Sequence, residues 1–228
     1  MPELQKTHSA QGSEKIILII TGTQDRRGFC GGISLMVNCG SPKADFWVRV
    51  LVPPLMTLKD LKSKIIAVPD WPKKGVIFRD ITPALEDKQC FRFLVNELAK
   101  LAGKQKIDKV VGIDARGFLI ASALAYKLKV GLVIVRKKGK LPRAAMGESY
   151  NLEYGSETLE IHHDSIRKGE RVLLVDDVLA TGGTMAATVK IVKKMGGNIT
   201  GLLFFVELKG LGGRTKLKGQ KIISLIQF

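Results

Sequence analysis

The residues best suited to chemistry are Asp176 and Asp177, neighbouring acids that follow the apolar run at positions 172 to 175. A continuous run with β-branched ends suits a strand buried on both faces of a parallel sheet. In open α/β sheets, ligands collect at the carboxyl ends of such strands. Two carboxylates placed there can grip hydroxyls or a metal. The residues that come next, Ala180, Thr181, Gly182, Gly183 and Thr184, carry little side chain, so a turn can aim several main-chain N–H groups at one point. A helix begins at once, with Met185, Val189 and Val192 on one stripe and Gly196 and Gly197 closing it. Free amides, two threonine hydroxyls and the positive end of a helix dipole make an anion site beside the acids. The ligand that these groups jointly fit is a sugar diol next to a phosphate. A Walker loop is excluded, because no Lys follows the glycines in the required frame.

Residues 171 to 184, RVLLVDDVLATGGT, resemble the phosphoribosyl pyrophosphate (PRPP) motif of type I phosphoribosyltransferases. The resemblance implies an α/β fold of that type: a central, mostly parallel sheet flanked by helices, with a small hood. It gives Asp176 and Asp177 to the ribose 2′ and 3′ hydroxyls, and Ala180, Thr181, Gly182, Gly183 and Thr184 to the 5′-phosphate.

Three further segments must position the rest of the chemistry. The apolar run at 109 to 113 meets Asp114-Ala115-Arg116-Gly117 and then a helix over 118 to 128, a second strand end facing a helix start. The resemblance makes this turn the pyrophosphate site, with Arg116 as a charged donor and a cis peptide bond at Asp114-Ala115. A third apolar run, 130 to 135, leads into Arg136-Lys137-Lys138-Gly139-Lys140. By composition that is a nuclear-localisation patch or a solvated face. By resemblance Arg136, Lys137 and Lys140 approach pyrophosphate, one of the basic residues reaching across a dimer interface.

The Pro-broken stretch from 68 to 83 surrounds Ile77, Phe78 and Arg79. On the residues alone, Phe78 is either a core anchor under a loop or a ring for stacking. Here the resemblance narrows to the adenine phosphoribosyltransferases, in which main-chain groups at Ile77 and Arg79 read the base edge and Phe78 stacks on it. Positions 143 to 150 have little periodicity and are expected to form a mobile loop before Asn151-Leu152-Glu153-Tyr154. The resemblance makes Glu153 the proton carrier for the purine, with Tyr154 packed beside it; a lone Glu is otherwise an exposed strand residue.

Composition bounds the remainder. The chain has 228 residues, is 45% hydrophobic, and carries a formal charge of +16. No apolar run approaches the roughly 20 residues that span a bilayer, and the start lacks a secretory pattern, so a cytoplasmic location is expected. Three cysteines and three histidines give no disulfide framework and no zinc spacing. His162 and His163 fall in an expected strand, one facing the sheet and one solvent. The positive charge suits either nucleic acid or a small polyanion. With no nucleic-acid-binding motif present, the polyanion is favoured and no specific nucleic acid is expected.

Positions 1 to 55 lack sustained periodicity and are expected to be a poorly ordered extension; the resemblance covers 56 to 228. It implies transfer of the 5-phosphoribosyl group from PRPP to adenine, giving AMP and pyrophosphate. Mg²⁺ is expected to be held through substrate oxygens with no direct protein ligand, in a homodimer. Two alternatives stand beside it: a phosphoribosyltransferase for another purine, and a non-catalytic PRPP sensor that binds nucleic acid.

Overall fold

The computed structural model describes residues 6–7, 16–19, 33–38, 47–52, 56–103, 105–151 and 156–228, in two compact units divided after Thr57. In the first unit the described residues form β1 (Lys6–Thr7), β2 (Ile16–Ile19), β3 (Ile33–Asn38) and β4 (Trp47–Val52), joined in that order as an antiparallel sheet. No element is read for this segment in the sequence. Strands of two to six residues are too short to establish a period amid glycine-rich connections.

The second unit begins with α1 (Leu58–Ser63), the two-stranded ribbon β5 (Ile66–Pro69) and β6 (Ile77–Asp80), then α2 (Thr82–Glu86) and α3 (Lys88–Ala102). Alternation follows: β7 (Lys109–Ile113), α4 (Arg116–Leu128), β8 (Gly131–Lys137), β9 (Ala145–Asn151), β10 (Ser156–His162), β11 (Arg171–Leu179), α5 (Gly183–Lys194), β12 (Asn198–Glu207), α6 (Gly213–Lys216) and β13 (Ile222–Gln227). Seven strands make one sheet in the order β13-β12-β11-β7-β8-β10-β9. The strands from β13 to β8 are parallel, whereas β10 runs antiparallel to β8 and β9 to β10. The central, mostly parallel sheet is therefore present.

Val172, Leu173, Leu174 and Val175 of β11 are fully buried, as a strand covered on both faces requires. Successive side chains alternate between faces. Val172 and Leu174 join the cluster that includes Ile191 and Val192 of α5, leaving Leu173 and Val175 to the face on which α4 packs. α3 starts at Lys88, where Asp87 caps it by accepting from the amides of Gln89 (2.9 Å) and Cys90 (3.1 Å). Its buried stripe is Cys90, Leu94, Leu98 and Ala102, so Phe91, Val95 and Leu101 flank the contact. Leu132 and Ile134 of β8 stay exposed while Val133 and Val135 are buried, so that apolar strand is covered on one face only. His162 is buried and His163 exposed, as expected.

The expectation of a mobile loop over 143 to 150 is corrected. Ala145 to Asn151 pair residue by residue with β10. On alternate positions Met146 packs on the core, Glu148 pairs with Lys190 (3.3 Å) and Lys194 (2.6 Å) of α5, and Tyr150 reaches Thr184. A glutamate on the inward face hides the alternation that a strand displays in sequence, and two lysines of another helix offset its charge.

Candidate active site

β11 is longer than its neighbour on one side. Its ladder to β7 ends at Val175 opposite Gly112, while its ladder to β12 runs on to Leu179 opposite Glu207. Asp176 and Asp177 therefore project beyond β7, where the start of α4 takes over. Gly117 is required there, since a Cβ on it would lie 2.6 Å from Asp176 Oδ1. Asp176 Oδ1 accepts from the Asp177 amide at 2.9 Å. Burial of its carboxyl group, reinforced by the charge of Asp177, raises its pKa well above the ordinary carboxylate value.

The small-residue turn lies directly beyond. Gly182 is the N-cap of α5 with a φ of 76°, a conformation that glycine reaches without strain. Asp176 and Ala180, Thr181, Gly182, Gly183 and Thr184 line one polar recess. Thr188 Oγ1 donates to the Thr184 carbonyl at 3.0 Å, and the Ala186 amide donates to the Gly182 carbonyl at 2.9 Å. Asp176 and the amide turn thus face a common space, while Asp177 is buried and turned to Arg116.

The second turn contributes side chains. The Asp114–Ala115 bond is cis, as the resemblance implies. Arg116 Nε donates to Asp177 Oδ2 at 2.6 Å, and the guanidinium carbon lies 4.9 Å from the centroid of the Phe78 ring. One residue of the expected pyrophosphate set therefore touches both an expected diol acid and the expected base-stacking ring. Phe78 is half-buried and packs edge-on against Trp71, centroids 4.4 Å apart. Ile77 is 56% exposed, and Arg79 rests on the ring of Phe228 at 4.2 Å. The β5–β6 ribbon is the small hood.

Other expected pyrophosphate residues are tied to acids. Arg136 Nε donates to Asp114 Oδ2 (3.2 Å) and its Nη1 to the Lys140 carbonyl (3.0 Å). Lys137 Nζ pairs with Glu157 Oε1 at 2.6 Å. The side chain of Lys140 is exposed and brought to no member of the site. Glu153 and Tyr154 lie outside the described residues.

Tyr150 and Glu157 went unread in the sequence. Thr184 Oγ1 donates to Tyr150 Oη (3.3 Å), which donates to Glu157 Oε2 (2.8 Å). Lys137 beside Glu157 lowers that carboxyl's pKa, and burial raises that of the tyrosine. The two residues face each other across β9 and β10, a pairing invisible while β9 is taken for a loop.

The phosphoribosyl transferase domain model matches residues 83–222. The chain belongs to the phosphoribosyltransferase family, the class that the sheet and the cradle define. Within it, its relatives are adenine phosphoribosyltransferases. The enzyme of Geobacter metallireducens is 53% identical over 171 residues, covering 75% of this chain and all (100%) of the relative. The crystal structure of the Thermoanaerobacter pseudethanolicus enzyme superposes with a TM-score of 0.74 at 49% identity, covering 75% of this chain and 100% of that one. The Saccharomyces cerevisiae enzyme, solved in complex with an imino-altritol bisphosphate and adenine, gives a TM-score of 0.70 at 37% identity, over 74% and 97% of the two chains.

Proposed function

We propose that the chain transfers the 5-phosphoribosyl group from PRPP to adenine, releasing pyrophosphate and AMP, and that the residues above divide this work. The observation that carries the reading is the shared recess of Asp176 with residues 180 to 184, in a chain whose relatives are adenine phosphoribosyltransferases. Asp176 and Asp177 hold the ribose diol. The amides of Ala180 to Gly183 and the hydroxyls of Thr181 and Thr184 hold the 5′-phosphate. Displacement at the anomeric carbon builds positive charge on the sugar, which these carboxylates stabilise while both ends of the ribose stay fixed. Arg116, Arg136, Lys137 and Lys140 neutralise the departing pyrophosphate. The main chain of Ile77 and Arg79 reads adenine, Phe78 stacks on it, and Glu153 beside Tyr154 manages the purine proton.

Mg²⁺ enters with the substrate. Asp177 is already committed to Arg116 at 2.6 Å, which fits an ion held chiefly by substrate oxygens and not by a protein cage. When bound it supplies charge neutralisation at the pyrophosphate. The protein acts as a homodimer. It works in the cytoplasm, since its phosphorylated substrate and product do not cross bilayers.

The test is mass-spectrometric detection of nucleotide after mixing full-length protein, PRPP, Mg²⁺ and one purine at a time. AMP from adenine is expected. IMP, GMP or XMP from hypoxanthine, guanine or xanthine at comparable rates would overturn the base assignment, and absence of any nucleotide would overturn catalysis.

A further inference from the structure

We infer that Gly213 is a positioning residue for the phosphate cradle, acting through the main chain of Ala180 to Gly182. The inference rests on the reading of that turn as the 5′-phosphate site. In the sequence, Gly210-Leu211-Gly212-Gly213 only mimics a dinucleotide loop, and the reaction described above gives it no task. The chain leaves β12, makes a 3-10 turn at Lys209–Leu211, and reverses at Gly212 with a φ of 64° into α6.

At that reversal two glycine segments meet back to back. A Cβ on Gly182 would lie 2.6 Å from the Gly213 carbonyl oxygen. A Cβ on Gly213 would overlap the Ala180 carbonyl oxygen and come within 2.8 Å of the Leu179 side chain. The atom most closely met is main chain, which has no rotamer by which to step aside. The floor itself is anchored. The Leu208 amide donates to the Leu179 carbonyl at 2.9 Å. Arg214 grips the buried Glu207 through two bonds, 2.6 and 2.7 Å. Leu217 is 2% exposed, in the same cluster as Leu179 and Met185. An added methyl group is therefore accommodated by movement of the turn, whose amides must converge on one phosphate. Gly210, in the same run, has nothing within 4 Å of its would-be Cβ.

The test is calorimetric titration of full-length protein with ribose 5-phosphate and, separately, with pyrophosphate. Gly213→Ala is expected to weaken ribose 5-phosphate binding about ten- to a hundredfold, the scale of a misplacement near 1 Å, and to leave pyrophosphate binding unchanged. Gly210→Ala should match wild type. In turnover, the KM for PRPP should rise more than that for adenine. A second variant, Arg214→Lys, adds no bulk but loosens the floor, and should weaken ribose 5-phosphate binding by a smaller factor. If wild type itself does not bind ribose 5-phosphate, the reading of the cradle falls. If wild type binds and folded Gly213→Ala binds as tightly, the inference is overturned; should Gly213→Ala not fold, unchanged binding by Arg214→Lys overturns it.

Discussion

At the end of β11 the proposed anion site is made of main chain: glycine and alanine amides at a helix start, with a second glycine segment packed behind them. At the end of β7 it is made of long side chains, and the arginines there are engaged by acids: Arg116 by Asp177, and Arg136 by Asp114. The first arrangement needs no rearrangement to meet a phosphate. On the proposed assignment, the second would have to exchange an internal carboxylate for a substrate oxygen each time pyrophosphate binds, and take it back on release. Under the proposed assignment one substrate would be held by a fixed grip at its 5′ end and an exchangeable grip at its pyrophosphate end.

The largest effect is expected at the acids between the two turns. Asp176→Asn should lower kcat/KM for AMP formation roughly 10²- to 10³-fold. Stability should move the other way. A carboxyl whose pKa is raised by folding binds its proton more tightly in the folded state, so it costs stability once the pH exceeds the unfolded value of 3.8. Removing the ionisable group should leave the melting temperature unchanged or raise it by about 2 to 4 °C at neutral pH. A parallel fall of activity and stability would break the assignment.

Arg116→Met separates the two grips. Pyrophosphate affinity should fall about tenfold, roughly 1.4 kcal/mol, while ribose 5-phosphate affinity is retained or improved because Asp177 is released. Equal weakening of both ligands in calorimetry would erase the distinction between fixed and exchangeable sites. A smaller effect of opposite sign is expected at Glu157, which holds Lys137 at 2.6 Å. Glu157→Gln removes a competitor and should tighten pyrophosphate binding about threefold, roughly 0.7 kcal/mol. In a Lys137→Met background that gain should vanish. Persistence of the gain would mean that Glu157 acts through general charge alone.

The smallest effect concerns the support of the fixed grip. Arg214 chiefly holds the Glu207 carboxyl at about 2, below its ordinary 4.5, so its contribution to stability is full above the unfolded value and is lost as pH falls through about 2. Glu207→Gln should therefore melt lower than wild type at pH 7, with the gap closing as pH falls from about 4.5 toward 2. A gap independent of pH would show that packing, and not the ion pair, supports the floor.

What could be read in the sequence divides along the same line. The cradle was legible because Asp176-Asp177 and the small residues from Ala180 to Thr184 are contiguous, and because β11 and α5 carry the periods that their burial demands. The alternation of β7, α4 and β8 was legible for the same reason. The exchangeable grip was only half legible. Arg116, Arg136 and Lys137 stood out as cations, but their partners Asp177, Asp114 and Glu157 are chosen by sheet order, which sequence does not display. Tyr150 was missed because Glu148 interrupts the inward face of β9, and Gly213 because nothing local marks a glycine whose neighbour is 30-odd positions upstream.

The contact between Trp71 and Phe78 has an optical consequence. The Trp71 indole is half in solvent, 51% exposed, and touches the ring against which the Arg116 guanidinium lies. On the proposed reading adenine stacks on Phe78, and its arrival would alter the polarity and quenching that the indole experiences. The sequence's second tryptophan, Trp47, belongs to the separate N-terminal unit. A Trp47→Phe protein would therefore carry a single tryptophan beside the proposed base site, and its emission, excited selectively over the three tyrosines, would follow base entry in a stopped-flow trace without any attached dye.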